Sequence, residues 1–578
     1  MSREDASEPG FEQFERFLDH WSRRDVLRTM GGAVAFAAFL GGGLEFLEAC
    51  ANAGQQSTNT ANAVKGGHLV EGTISDIANV NPIFLNDTAS QVISGRCYDG
   101  LLDIQGDGTL IPAIAKAVPK PESDNVTYKF ELRQDAKWSD GSPITADDVV
   151  FTYQLMYDPK WKAVKSRYRP DFEEYVKSAV ATDKYTVVLT MNKVWASFMD
   201  QYSTTGILPK AVWEKLEPAA INSSDMNQVP TVVSGAMIPV KWDKGQQYTM
   251  KANDSYWRGR PYLDTFVYKV VSDAVAIANQ LKTGELDVGQ PDLSQWDSLA
   301  TAQNLNRKSV QTPNFEYYPT QLDTSKSKAA AFFSDVKVRQ ALLYALNRQQ
   351  VADKIYFGQA KVADSSIGAT NWSHITPKDH QYPYDPKKAE QLLDAAGWVK
   401  GSDGIRAKGG VRMAWELRTN AGNKVRENFI QVMADNWKAI GCDVTATPVQ
   451  FQQLVTQLTS TLNFDMILIG ISVGNPDPDQ SQLWHSRSVG QGLNGMGYKN
   501  PQADKLMDDA LATLDRSKRK DLYSQLQEIL MNDVPAPLVL YPNTVFGISK
   551  RVQNFNLGPY NRYGGRPWFK DVFVTDGK

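Results

Sequence analysis

The chain has 578 residues, of which 42% are hydrophobic and 22% charged, and its formal net charge at pH 7 is -3. This length exceeds what one hydrophobic core usually serves, so we expect two or more folded lobes. Lys and Arg (62) do not outnumber Asp and Glu (65), which excludes the basic excess of a nucleic-acid-binding protein. Cys50, Cys97 and Cys442 are too few for a disulfide framework and lack the paired spacing of a zinc site.

Residues 1–49 have the features of an export signal. Arg23 and Arg24 stand before a weakly apolar run, residues 30–44, which is too short for a permanent transmembrane helix. An arginine pair in this position resembles the twin-arginine signal, an address that a receptor reads. The alternative is a chance pair on an amphipathic helix. We expect the chain to be exported, to the periplasm or to the outer face of the cytoplasmic membrane.

Cys50 is the predicted lipidation site. Residues 47–50, Leu-Glu-Ala-Cys, resemble a bacterial lipobox except at Glu48, where a small or apolar residue is usual. Cleavage nearby and a retained anchor are the alternatives. Two or more acyl chains on Cys50 would attach the protein stably to the membrane. Residues 50–67, rich in Ala, Asn, Ser, Thr and Gln, would then form a flexible tether.

The first half of the body alternates between strand and helix patterns. Thr145 caps one predicted helix, and Asp147 and Asp148 stand in its first turn, at the positive end of the helix dipole. In chain order we predict a strand over 69–74, a helix over 90–103, a strand over 126–132, a hairpin turn over 138–142 and a helix over 146–156.

The second half of the body alternates more regularly, which indicates an α/β architecture with a mixed sheet. Asp385 and Pro386 open one helix and Gly397 ends it. We predict helices over 335–356, 386–396, 424–440, 451–458, 501–515 and 518–532, and strands over 413–419, 443–449, 464–470 and 538–541.

One motif suggests a nucleophile, but the residues behind it oppose that reading. Residues 470–474 match G-x-S-x-G, in which the serine stands directly before a helix. Two prolines in residues 475–479 block such a helix. The same run begins like a calcium loop, but Gln480 and Ser486 occupy its glycine and glutamate positions. Because no HExxH, Walker A or dinucleotide motif occurs either, we expect no enzymatic activity, no metal and no cofactor.

Several blocks between residues 66 and 560 resemble one protein family. Residues 130–141, which run on into 145–149, are the most specific of them. The other blocks are residues 98–102, 253–257, 261–264, 284–287, 338–342, 384–386 and 395–398. The chain resembles the bacterial extracellular solute-binding proteins of family 5, which include oligopeptide- and dipeptide-binding proteins.

The resemblance implies an α/β fold, a two-lobed periplasmic-binding-protein-like type II clamp with an extra small subdomain. Residues 68–103, 205–312 and 538–578 would form a discontinuous lobe I, residues 104–204 the additional subdomain on it, and residues 313–537 lobe II. A small ligand between the lobes would shift the population toward a closed state. An ABC permease and ATPase complex would read that state, and the protein itself would be a monomer.

The resemblance also places candidate ligand contacts in a loop after the first strand, in a tyrosine pair and in the turn after strand 464–470. Aromatic residues near turns add two more candidates, because concave sites are often lined by such side chains. The predicted ligand-binding residues are Asn86, Asp87, Thr88, Tyr317, Tyr318, Ile471, Ser472, Gly474, Asn475, Asp477, Trp484 and Tyr541.

Gly474 departs from the family pattern. Peptide-binding relatives place there an aspartate that pairs with the α-ammonium group of the ligand. Residues 234–238 depart as well, because relatives usually have a Gly-Thr-Gly-Pro-Tyr type of turn. A buried ammonium without a partner is costly, so a ligand with a capped amino terminus should be tolerated unless another carboxylate substitutes. Asp87 and Asp477 are the nearest candidates by alignment.

Three functions stay open at this point. The first is capture of peptides or peptide-like solutes for an ABC importer, and the second is capture of an oligosaccharide or other non-peptide solute for such an importer. The third is a surface-anchored hydrolase or structural protein. Aromatic, charge-poor walls would favour a sugar, whereas paired opposite charges would favour a zwitterionic peptide.

Overall fold

The computed structural model describes residues 60–85, 87–271, 273–471, 476–490, 492–560 and 569–577. Predictions that fall on other residues stay predictions. The residues concerned are Arg23, Arg24, Cys50, Asn86, Ser472, Gly474 and Asn475.

Strands occur along the whole described chain, and many belong to one large sheet. The longest is β21, with 12 residues. In chain order the strands are β1 (His68–Thr73), β2 (Leu102–Ile104), β3 (Leu110–Pro112), β4 (Thr127–Glu131), β5 (Val176–Asp183), β6 (Thr186–Met191), β7 (Met237–Asp243), β8 (Gln247–Ala252), β9 (Thr265–Val270), β10 (Val288–Gly289), β11 (Leu305–Gln311), β12 (Phe315–Tyr317), β13 (Ala360–Val362), β14 (Val399–Lys400), β15 (Arg406–Lys408), β16 (Val411–Arg412), β17 (Ala414–Asn420), β18 (Asp443–Val449), β19 (Met466–Ile467), β20 (Ile469–Ile471), β21 (Leu538–Ser549), β22 (Val552–Gln553) and β23 (Phe573–Val574).

Asp and Asn side chains open many of the helices by accepting a backbone N–H of the first turn. Such caps are Asp87, Asp335, Asp385, Asn423, Asn500 and Asp515. The helices are α1 (Thr88–Cys97), α2 (Ala146–Tyr157), α3 (Arg169–Tyr175), α4 (Phe198–Gln201), α5 (Lys210–Trp213), α6 (Pro218–Ile221), α7 (Ala274–Thr283), α8 (Ala330–Phe333), α9 (Val336–Ala345), α10 (Arg348–Lys354), α11 (Pro386–Ala395), α12 (Lys424–Ala439), α13 (Phe451–Thr456), α14 (Ser481–Trp484), α15 (Pro501–Leu511) and α16 (Arg516–Asp533).

The large sheet joins distant parts of the chain. Its strand order is β20-β12-β21-β10-β1-β9-β8-β7, and β11 and β13 also pair with β21. β1 runs parallel to β9 and β10, whereas β21 is antiparallel to its neighbours. Residues 538–542 of β21 pair with β12 and β13, and residues 543–549 pair with β11. One strand therefore joins the part of the sheet that contains β12 and β13 to the part that contains β10 and β11.

Two smaller sheets complete the layers that matter for the site. The antiparallel sheet β4-β6-β5 lies within residues 127–191, together with α2 and α3. The parallel sheet β18-β17-β19 contains a β-α-β unit, because α12 connects β17 to β18. This arrangement is the α/β architecture that the alternating pattern predicts.

Buried apolar side chains form separate clusters. The largest draws on residues between 69 and 288 and between 546 and 574. Two others draw on residues between 315 and 541, and a small one surrounds α7. The largest cluster therefore combines side chains from the first half of the described chain with side chains from near its end.

The hairpin turn expected over 138–142 is confirmed by the antiparallel bridge between Lys137 and Pro143, but the strand over 126–132 is not its first arm. β4 pairs with β6, which comes from a later segment. Residues 138–142 do form a tight turn, in which the amide of Gly141 donates to the carbonyl of Trp138 at 2.9 Å and Gly141 has a φ of +86°. The apolar-polar alternation identifies a half-buried strand but not its partner, since several antiparallel partners would bury the same face.

Other element boundaries also differ from the prediction: β21 continues to Ser549, α15 ends at Leu511, and three further differences have a visible cause. The helix expected over 335–356 divides into α9 and α10, because Leu346 is extended and the Asn347 side chain caps a new helix. The helix expected over 90–103 ends at Cys97, because the next residue is extended and β2 follows. The strand expected over 464–470 is β19 and β20, which lie in different sheets.

Cys97 and Cys442 are buried free thiols, as expected for small apolar side chains. Burial raises the pKa of Cys442 to about 12, so this thiol stays protonated and unreactive. Within the described ranges, no helix is long and apolar enough to cross a membrane. Those ranges also contain no group of three His, Cys, Asp or Glu residues that could hold a metal ion.

Candidate binding site

A cavity of about 190 Å³ lies where β12, β20 and the loop after β13 meet. Its walls are largely apolar, and two aspartates contribute charge. The lining residues are Pro313, Phe315, Ile367, Gly368, Asn371, Ile471, Asp477, Pro478, Asp479, Gln480, Gln482, Leu483 and Leu493. A shallower cavity of about 490 Å³ with the exposed residues Lys328, Val411 and Arg412 contains none of the predicted site residues.

The loop of residues 476–479 is held by side chains of the segment after β13. The carbonyl of Pro476 accepts hydrogen bonds from Nδ2 of Asn371 and from Nε1 of Trp372, both at 3.0 Å. The guanidinium of Arg516 lies 4.5 Å from the ring centroid of Trp372. These contacts hold residues 476–479 against the segment after β13.

Asp477 is the buried anchor of this loop. Its side chain is 0% exposed, and Oδ2 accepts a hydrogen bond from Nη2 of Arg519 at 2.8 Å. Oδ1 accepts the amide of Asp479 at 2.9 Å. The same Nη2 of Arg519 donates to the hydroxyl of Tyr523 at 3.2 Å. A fully buried carboxylate needs such a partner, and Arg519 neutralises the charge of Asp477.

Asp479 forms different hydrogen bonds from those of Asp477. Its Oδ1 accepts both the amide of Ser481 at 2.9 Å and the Ser481 hydroxyl at 2.6 Å. Burial raises the pKa of Asp479, and the neighbouring charge of Asp477 raises it further, while the two bonds from Ser481 and the charge of Arg519 lower it. The balance disfavours the ionised form in the absence of another positive charge.

Asp200 of α4 faces this loop from residues 104–204. Burial raises the pKa of Asp200 to about 6 and the charge of Asp477 adds to the rise, whereas Arg516 and Arg519 oppose it. Charges influence one another in this way only over short distances. Asp200 and Asp477, which come from two separate parts of the chain, therefore share the positive charge of Arg519.

Other contacts close the same region. The amide of Ala196 donates to the carbonyl of Leu511 at 2.9 Å, and Nδ2 of Asn371 donates to the hydroxyl of Tyr560 at 3.3 Å. Gly108 has a φ of +91°, and a Cβ at this position would lie 2.9 Å from Tyr560 and 3.0 Å from Pro476. These contacts join three separate stretches of the chain beside the cavity.

Asp87 and Thr88 occupy the start of α1. Oδ1 of Asp87 accepts the amide of Ser90 at 2.8 Å and Oδ2 accepts the Ser90 hydroxyl at 2.7 Å. The carboxylate is thus the N-cap of the helix, with both oxygens in use. Thr88 is exposed. Their contact with a ligand stays a prediction.

The four aromatic residues of the prediction are buried, each at most 1% exposed: Tyr317, Tyr318, Trp484 and Tyr541. The Tyr541 hydroxyl donates to the carbonyl of Ser365 at 2.8 Å, and Nε1 of Trp484 donates to Oε1 of Gln480 at 2.9 Å. In this structure the four side chains support the core beneath the site. A direct contact of any of them with a ligand stays a prediction.

Sequence reasoning missed several residues of the site. Phe315, Asn371 and Asp479 line the cavity, and Arg519 neutralises Asp477. Asp479 stands beside the predicted Asp477 and could have been found from its place in the same loop. Arg519 lies inside a helix with no local signal of its partner.

The chain belongs to the bacterial extracellular solute-binding proteins of family 5, because the family model described as "Bacterial extracellular solute-binding proteins, family 5 Middle" matches residues 109–492. The predicted resemblance is thereby confirmed. Members of this family are extracytoplasmic binding proteins rather than enzymes.

Individual relatives and solved structures are similar to this chain over most of its length. The oligopeptide-binding protein AppA of Bacillus subtilis is 31% identical over 527 residues, which cover 89% of this chain and 94% of that protein. Its structure in complex with a nonapeptide has a TM-score of 0.77 at 30% identity, and the match covers 89% of this chain and 99% of that chain. NikZ of Campylobacter jejuni, solved in complex with Ni(L-His), has a TM-score of 0.74 at 25% identity, with 88% and 99% of the two chains covered.

Proposed function

We propose that this protein captures peptides outside the cytoplasm and delivers them to the permease and ATPase of an ABC importer. The observation that carries the proposal is the cavity between β12, β20 and the 476–483 loop, in a chain that matches an oligopeptide-binding protein over most of its length. Its apolar walls suit peptide side chains, and its fixed carboxylates suit a charged peptide end.

The composition of the walls supports a peptide over an oligosaccharide. Phe315 is the one aromatic residue among the described lining residues, whereas Asp477 and Asp479 are both acidic. Sugar sites rely on several exposed rings that stack on sugar faces, and these walls do not offer such a platform.

Closure of the two lobes would couple binding to transport. A ligand that contacts both sides of the cleft has a higher affinity for the closed state and raises its population. The bonds from Ala196 to Leu511 and from Asn371 to Tyr560 already join the proposed lobes and would stabilise that state. The permease would then distinguish the loaded protein from the empty one by its shape.

Calorimetric titration tests the ligand class. Free peptides of two to nine residues should bind the purified protein, whereas cello- and xylo-oligosaccharides should not. Ligand binding should also raise the melting temperature in proportion to the logarithm of the free ligand concentration. Binding of the sugars and not of the peptides would replace this proposal with the oligosaccharide alternative.

The clamp and its boundaries are a second part of the proposal. We place lobe I in residues 68–103, 205–312 and 538–578, the subdomain in 104–204 and lobe II in 313–537. The buried cluster that joins residues 69–288 to 546–574 supports a discontinuous first lobe, whereas residues 538–541 pack with the clusters of the second. X-ray scattering with a bound peptide should give a smaller radius of gyration than without. An unchanged radius with a saturating, calorimetrically confirmed ligand would reject closure.

Export and anchoring complete the proposal. Replacing Arg23 and Arg24 by lysine should leave the precursor in the cytoplasm, since the signal is read by a receptor. Cys50→Ser should release the mature protein from the membrane fraction. If the Cys50→Ser protein stays membrane-bound after a carbonate wash, lipidation at this residue is wrong.

A further inference from the structure

We infer that Asp479 is the residue that selects a positively charged group on the ligand, such as the α-ammonium of a peptide. This inference rests on the proposed function and adds a specificity-determining residue to it. Asp479 lines the cavity, and its acceptor atoms are only partly used.

The two carboxylate oxygens of Asp479 differ. Oδ1 accepts both hydrogen bonds from Ser481. Among the described residues, no donor is bound to Oδ2. This oxygen keeps its capacity to accept two hydrogen bonds from a ligand. An ammonium group offers three N–H donors together with the charge that the carboxylate lacks.

The other carboxylates named for this role are already engaged. Both oxygens of Asp87 cap α1 through Ser90. Asp477 is fully buried and bound to Arg519. Asp479 is therefore the lining carboxylate best able to take a new partner.

Asp479 shares its positively charged neighbour with other carboxylates. Arg519 is hydrogen-bonded to Asp477, and its charge acts on Asp200 and on Asp479 as well. Residues 472–475, which lie beside the cavity wall in sequence, carry no charged side chain. A cation in the cavity would give Asp479 a partner of its own.

The surroundings of the cavity strengthen such an interaction. Phe315, Ile471 and Leu483 give the cavity apolar walls, and a charge-assisted hydrogen bond is stronger where less water is present. Burial raises the pKa of Asp479, and a bound cation would reverse that effect. The sequence predicts that a capped amino terminus is tolerated unless another carboxylate replaces the aspartate that Gly474 lacks. Asp479 is such a carboxylate, so capping should weaken binding.

The test crosses one substitution with one ligand modification. Calorimetry at pH 7.5 compares penta-alanine with its N-acetylated form on the wild-type protein, on Asp479→Asn and on Asp140→Asn. Asparagine keeps the Oδ1 acceptor for Ser481 and removes only the charge. Asp140→Asn is the matched control, because Oδ1 of Asp140 accepts the Ser142 amide at 2.9 Å and its hydroxyl at 2.6 Å in an exposed turn.

Acetylation should weaken binding to the wild-type protein and to Asp140→Asn by about 10- to 100-fold, as expected for a lost hydrogen bond to a charged group. Asp479→Asn should weaken the free peptide by a similar factor and leave the acetylated peptide unaffected. Equal binding of both peptides to the wild-type protein would overturn the inference alone. So would an equal loss of both peptides in Asp479→Asn, which would indicate a structural role. Failure of the wild-type protein to bind either peptide would overturn the proposed function and, with it, this inference.

Discussion

The turn at residues 138–142 and the loop at residues 476–481 contain the same local structure in opposite surroundings. In each, an aspartate Oδ1 accepts the amide and the hydroxyl of a serine two residues later, at 2.9 and 2.6 Å. Asp140 is exposed, whereas Asp479 lines a cavity beside the fully buried Asp477. The local hydrogen bonds are therefore identical, and what differs is the access of water.

That difference decides what each aspartate can do. Water screens and solvates the charge of Asp140, so its carboxylate needs no partner. Burial raises the pKa of Asp479, so a positively charged partner would stabilise its ionised form. The same Asp-x-Ser hydrogen bonds thus form an exposed turn at residues 140–142 and part of a candidate recognition site at residues 479–481.

The largest effect should come from removing the partner of the buried loop. Arg519→Met leaves Asp477 without its guanidinium, and loss of one member of a buried pair costs about 3–5 kcal/mol. Arg133→Met is the exposed counterpart, since Arg133 and Asp135 also lie 2.8 Å apart but with side chains 37% and 61% exposed. It should cost less than about 1 kcal/mol. Chemical denaturation measures both, and equal losses would contradict the dominance of burial.

Asp200 should make the stability of the unliganded protein depend on pH. Its pKa rises from 3.8 to about 6 in the folded state, where it faces Asp477, Arg516 and Arg519. Between those two pH values the folded state binds more protons than the unfolded state, so stability falls as pH rises from about 4 to about 6. Asp200→Asn removes this penalty and should gain at most about 3 kcal/mol at pH 7, and little at pH 4.

Melting temperatures of the wild-type protein and Asp200→Asn across pH 4–8 measure this effect. A gain that is equal at both ends of the range would show that Asp200 does not titrate in that window.

Alanine substitutions at Gly141 and Gly108 allow the backbone of the two regions to be compared. Gly141 in the exposed turn has a φ of +86° and open space where a Cβ would stand, whereas Gly108 has a φ of +91° and packs against Pro476 and Tyr560. Alanine at a positive φ costs about 1 kcal/mol in both places. Gly108→Ala should cost about 1–2 kcal/mol more, because the added methyl group overlaps its neighbours. Thermal unfolding of the two variants checks this, and equal costs would contradict the close approach at Gly108.

The smallest effect concerns the two aspartates themselves in the unliganded protein. Asp479→Asn should raise stability slightly at pH 7, because it removes a half-buried carboxylate whose folded-state pKa is raised. Asp140→Asn should leave stability unchanged. A stability loss in Asp479→Asn would show that its charge already has a sufficient partner.

Local patterns predicted most elements of the fold but not how they pair. The helix over residues 386–396 and the strand over 443–449 were visible because caps and periodicity agree there. The strand expected over 464–470 divides between two sheets at one residue, and no local pattern reports the sheet to which a strand belongs. The break at Leu346 had a signal, the capping residue Asn347, which the continuous apolar pattern obscured.

The candidate site was predictable only in part, for the same reason. The loop containing Asp477 was located from the sequence, and it lines the cavity. Its charge state depends on Arg519, 42 residues further along the chain, and on Asp200, which comes from another region. The burial of Tyr317, Tyr318, Trp484 and Tyr541 depends on packing between distant segments, which a single sequence does not specify.

The pairing of β12 with β21 has a consequence for protein engineering. Tyr317 and Leu538 are paired across these two neighbouring strands, so the segment between them begins and ends at one place in the large sheet, to which it also contributes β13 and β20. Two splice points there would exchange this segment as a cassette with that of a relative. Such a hybrid would take most of the cavity wall from one protein and Pro313 and Phe315 from the other, and peptide titration of the hybrid would show which part sets the ligand preference.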